Sequence, residues 1–177
     1  MGTSGIQYYV HNENKVELNV LREQIEKAIP ELTFLVAQSK NSDWIGVGVG
    51  VDEDFSCYDN YEKNLHVIHE LSQSTVLGAL IHDSDALALF FKPKGANQAD
   101  YVDVGIIPSG HGKAKANLDV WQPFLRNDAT VEQLVAAFES EPTFVEDALG
   151  EVLELLGVED ATALYNEILK VLDDGGY

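Results

Sequence analysis

Residues 76–91 read Val-Leu-Gly-Ala-Leu-Ile-His-Asp-Ser-Asp-Ala-Leu-Ala-Leu-Phe-Phe. Two apolar runs of strand length flank four polar residues, His82-Asp83-Ser84-Asp85. Asp and Ser bond their own backbone and suit tight turns. Val76–Ile81 and Leu87–Phe91 are therefore expected to form a hairpin. Strands joined so tightly must run antiparallel, because a parallel pair needs a long crossover.

Upstream, Ile6–Val10 and Leu32–Ala37 read as strands, and so does Trp44–Val51. In that last stretch Ile45, Val47, Val49 and Val51 alternate with Gly46, Gly48 and Gly50. One face is a β-branched ridge and the other is bare backbone, open to close approach by a helix or a neighbouring backbone. Between these strands, Leu18, Leu21, Ile25, Ala28 and Ile29 recur at helical spacing, with Asn14 and Glu17 as a cap pair and Pro30 as the stop. Leu65, Ile68 and Leu71 mark a second helix, opened by Asp59 and Glu62. Tyr101–Ile107 is the last expected strand. The order is β-α-β-β-α-β-β-β. The expected class is α+β: a largely antiparallel sheet in split βαβ, ferredoxin-like order, with both helices on one face.

A Gly- and Ser-containing stretch, Pro108–Ala116, follows without periodicity. It separates an expected sheet domain, residues 1–112, from an expected helical subdomain, residues 117–177. In the latter, Leu118–Leu125 is a short helix interrupted at Pro123. Thr130 with Gln133 and Thr143 with Glu146 form capping boxes. Gly157 closes the second of these helices, and a last helix is expected from Asp160 or Thr162 onward.

The chain has 177 residues, 30 acidic and 11 Lys+Arg side chains, and a net charge of −19. Such a charge repels phosphate backbones and anionic lipid, which disfavours nucleic-acid and membrane-surface partners. The excess is uneven. Residues 117–177 hold 14 acidic side chains against Arg126 and Lys170, a net of −12. Cys57 is the only cysteine, so no intrachain disulfide can form. Its acidic neighbours Asp54, Asp59 and Glu62 disfavour the thiolate, and an inert thiol is expected. No basic-plus-apolar leader opens the chain, and a cytoplasmic location is expected.

Four clusters carry possible chemistry. His82, Asp83 and Asp85 could hold a divalent cation, with His82 as a base in a metal-dependent hydrolase. A plain hairpin turn outweighs that, since such turns greatly outnumber metal sites on so short a motif. His66 and His69 with Glu70 share a helix face at i, i+3, yet the order matches neither H-E-x-x-H nor H-x-x-E-H, and a solvated face is favoured. Gly46–Gly50 alternates within a strand and lacks the strand-to-helix context of a phosphate loop. Asp52-Glu53-Asp54 with Asp59 lacks the EF-hand spacing. His111 with Lys113 and Lys115 is the one locally basic spot, expected to be a linker.

No cofactor motif and no convergent catalytic set remain. The favoured function is a non-enzymatic, immunity- or inhibitor-like binding module that recognises a basic protein partner. Its contact residues are expected among Trp121, Phe124, Glu132, Glu139, Glu146 and Glu154. For Trp121, packing of the tail onto the sheet is favoured over a role as exposed anchor. A structural domain that self-associates through an open strand edge is a further alternative.

Overall fold

The computed structural model describes residues 5–40, 42–49, 60–106, 113–158 and 160–161. The chain is α+β, and the described residues form six strands in one antiparallel sheet and five helices. The strands are β1 (Gly5–His11), β2 (Phe34–Gln38), β3 (Trp44–Val49), β4 (Thr75–His82), β5 (Ala86–Lys92) and β6 (Asp100–Gly105). The helices are α1 (Leu18–Ala28), α2 (Tyr61–Ser72), α3 (Leu118–Trp121), α4 (Val131–Glu139) and α5 (Val145–Leu155). A 3-10 turn, Gln122–Phe124, follows α3 where Pro123 blocks continuation. The sheet order is β2-β3-β1-β4-β5-β6, every neighbouring pair antiparallel. Among the described residues, the order of elements through β6 is the one expected from the sequence.

Helices α1 and α2 share one face, as expected, and α3, α4 and α5 cover the other. Strands β4 and β5 are apolar at consecutive positions, so both of their faces need cover. On the first face Ile6, Tyr8, Val10, Ile45, Val47 and Val76 pack with Leu21 and Ile25 of α1 and Leu65 and Ile68 of α2. Gly78 lets α2 approach closely: a Cβ there would lie 2.8 Å from Leu65 Cδ1. On the second face Leu77, Leu87, Leu89 and Phe91 pack with Trp121, Leu134, Phe138, Val145, Leu149 and Leu153. Helices α3, α4 and α5 thus share their core with the sheet. On β3, Gly46 lies opposite Tyr9, which is fully buried.

Helix ends match the expected caps only in part. Thr130 and Gln133 form the capping box of α4. Gly157 sits at φ +90°, with its N–H on Glu154 and the Val158 N–H on Leu153, which closes α5 as a Schellman turn. Asn14 does not cap α1. Its amide instead donates to the carbonyls of Ser72 and Gln73, tying the α1 entry to the end of α2. Thr143 does not cap α5: Phe144 is the N-cap residue, without a side-chain cap bond. The last helix and the Asp59 cap lie outside the described residues.

Candidate functional site

The turn His82–Asp85 is spent on architecture. Asp83 and Ser84 both have positive φ, +52° and +57°, the signs a type I′ hairpin turn requires. The Asp85 N–H closes it on the His82 carbonyl at 3.1 Å. The turn also docks α5. The buried Ser84 hydroxyl donates to Glu146 Oε1 at 2.6 Å, and the Ser84 carbonyl accepts the Val145 N–H at 3.0 Å. Asp85 presents its carbonyl to Ile106 N–H at 2.7 Å. Among the described residues, no three His, Cys, Asp or Glu side chains gather to hold a metal ion, and that includes His82, Asp83 and Asp85.

His66 and His69 lie on α2 above the end of β5. Lys92, just beyond the expected strand Leu87–Phe91, closes β5 and is buried. Its ammonium donates to His66 Nδ1 at 2.6 Å, which leaves the ring proton of neutral His66 on Nε2. His69 Nε2 donates to the Pro93 carbonyl at 3.0 Å. Burial, reinforced by Lys92 and His66 nearby, pushes the His69 imidazole below its ordinary value against the opposing pull of the Pro93 bond and Glu70. His69, Glu70, Lys92 and Lys94 border a polar hollow of about 250 Å³. Lys92 escaped the sequence reading because it abuts a Pro-Lys-Gly segment. Its only signal was the unbroken apolar run that precedes it.

A second cleft, of about 320 Å³, lies between β6, the segment 113–118 and α4. Its wall is apolar, from Val102, Leu118, Val135 and Phe138, with Lys113 and Lys115 on its border. Asp103 at its edge is held by the Tyr101 hydroxyl and by the Ala114 N–H. Burial holds the phenols of both Tyr61 and Tyr101 well above the ordinary range, so neither supplies a phenolate at neutral pH.

The expected partner contacts divide. Trp121 is fully buried, stacked on Phe91 at 4.4 Å, and is core; it cannot present its ring to a partner. Phe124 is half-buried edge-on against Phe91. Glu146 is half-buried at Ser84. Glu132, Glu139 and Glu154 are exposed, and so are Asp147 and Glu151. Phe144, which the sequence did not single out, is 55% exposed between α4 and α5. Helices α4 and α5 contain no Lys, Arg or His. Asp52–Asp54, Cys57, Asp59 and His111 lie outside the described residues, as does Gly50 of the glycine alternation.

No family model, curated protein or solved structure matches this chain. Among the described residues, no helix is long and apolar enough to cross a membrane.

Proposed function

We propose that this chain is a non-enzymatic binding module that recognises a basic protein partner through the outer face of α4 and α5. One observation carries the proposal: the exposed side chains of these helices include Glu132, Glu139, Asp147, Glu151 and Glu154, with no cation on either helix and Phe144 exposed beside them. A single-sign field accelerates encounter with an oppositely charged surface, and an exposed aromatic ring supplies apolar contact area. Strand order β2-β3-β1-β4, with a helix after β1 and after β3, supports a split βαβ, ferredoxin-like scaffold beneath it. In the same proposal residues 117–177 are the recognition layer added to that scaffold.

The test is affinity capture from native lysate, followed by association kinetics of the captured protein across ionic strength. The expected on-rate falls steeply with salt, and falls again for the combined variant E132K/E139K/E151K/E154K. An on-rate indifferent to both would sink the proposal.

A further inference from the structure

The two edges of the sheet are finished differently. Along β6, the segment 113–117 lies against the strand. The Asp103 N–H donates to the Ala114 carbonyl at 3.2 Å, and Asp103 Oδ2 takes the Ala114 N–H at 2.9 Å. Asp100 Oδ2 takes the Asn117 N–H at 2.9 Å. Along Phe34–Gln38 of β2 no described residue plays that part, and only just past the strand does the Asp160 carboxylate take the Lys40 N–H at 2.9 Å and the Ser39 hydroxyl at 2.5 Å. Strand β2 reads Phe-Leu-Val-Ala-Gln, with no charge, proline or glycine, none of the devices that blunt an edge.

The ladder fixes which groups of β2 face outward. The Ser39 N–H bonds the Trp44 carbonyl, so Ser39, Ala37 and Leu35 spend their backbone groups on β3. Phe34, Val36 and Gln38 therefore turn theirs away from β3, where no described residue bonds them. Leu35, Val36 and Ala37 are half-buried, with both side-chain faces already packed on the two cores. The edge offers backbone, not an apolar face.

The charges flanking β2 are Glu31 before it and Lys40 after it, both exposed, with the Asp160 carboxylate beside Lys40 on its N–H. We propose that β2 pairs antiparallel with β2 of a second copy of this chain, joining two sheets into one. With Val36 on the two-fold axis, Val36 exchanges bonds with its own copy and Phe34 with Gln38. That register uses every outward group of the strand, and it carries Glu31 of each copy to the Lys40 end of the other. A parallel pairing would set like charges together, which is unfavourable. A strand this short gives a dissociable dimer rather than an obligate one.

Sedimentation velocity on the full chain over a concentration series tests this. The wild type is expected to pass from monomer to dimer as concentration rises. V36P removes the central outward donor while leaving the bonds to β3 intact, and should abolish the dimer; a urea melt confirms that it folds. E31K and K40E should each weaken it about tenfold, two exposed pairs being altered by symmetry. The double variant E31K/K40E should restore it. A wild type that stays monomeric throughout overturns the proposal, and this includes the case in which the edge takes a strand from another protein. A dimer indifferent to V36P, or charge swaps without rescue, overturns it too. The acidic variants on α4 and α5 should leave the dimer unchanged, so this inference and the proposed function fail separately.

Discussion

The indole N–H of Trp121 donates to Asp100 Oδ2 at 2.7 Å, and the same oxygen takes the Asn117 N–H at 2.9 Å. One carboxylate at the start of β6 thus anchors both ends of α3, while the indole ring stacks on Phe91. D100A leaves a buried indole donor and an exposed backbone donor without this partner. A loss of about 2 kcal/mol is expected in urea unfolding. In the W121F background the same substitution should cost clearly less. Equal costs in both backgrounds would show that the two groups are not coupled.

Gly105 has φ +82°, and a Cβ there would lie 2.3 Å from the Asp85 carbonyl oxygen and 2.6 Å from Val145 Cγ1. Neither neighbour can yield easily, since one is backbone at the hairpin turn and the other is buried at the start of α5. G105A should therefore destabilise by about 3 kcal/mol or more, through strain added to clash. A thermal melt within a degree or two of wild type would contradict this.

At Ser84 two effects oppose each other. Glycine would relieve the left-handed backbone, a gain of about 1 kcal/mol. It would also delete the hydroxyl bond to the Glu146 carboxylate, a charge-assisted bond worth about 1.5–3 kcal/mol. S84G is expected to be net destabilising by about 1 kcal/mol in chemical denaturation. In an E146A background the cost should shrink, because the bond to that carboxylate is already gone.

The depressed His69 imidazole makes stability depend on pH in a definite direction. Its folded value lies below the ordinary imidazole range, chiefly because burial disfavours the cation. Between the two values the unfolded chain binds more protons, so stability falls as pH drops from about 7 through that window. Urea midpoints from pH 7.5 to 5 should decline, and H69Q should flatten the decline. An identical slope in H69Q would remove His69 as the source. Asp160, held below the usual carboxylate range by the Ser39 hydroxyl and the Lys40 N–H despite partial burial, loses its contribution only in more acid solution, below about pH 4.

The hairpin β4–β5 was legible because its apolar runs match strand length and its polar junction matches a turn. The capping box at Thr130 and the Schellman glycine at 157 were legible because each is a local motif, complete within six residues. The cover of the second face was not. Alternation in β3 points to one buried face, whereas the consecutive apolar residues of β4 and β5, which demand two, can equally be read as a single buried strand pair. The roles of Asn14 and Glu146 were misassigned because their bonds go to Ser72 and Ser84, partners distant in sequence that outcompete the local helix end. Of the acids expected at the surface of α4 and α5, Glu132, Glu139 and Glu154 are exposed, whereas Glu146 is half-buried at Ser84. The burial of Lys92 beside His66 could not be read, because it depends on α2 crossing the end of β5.

The two-sided cover of the sheet has a consequence during synthesis. Strands β4, β5 and β6 leave the ribosome well before α4 and α5, so their second face, including Leu77, Leu87 and Phe91, is naked while the chain is still growing. Nascent chains in that interval carry a broad sticky surface, and a chaperone or a slow stretch of translation near residue 117 would decide whether they mature or aggregate.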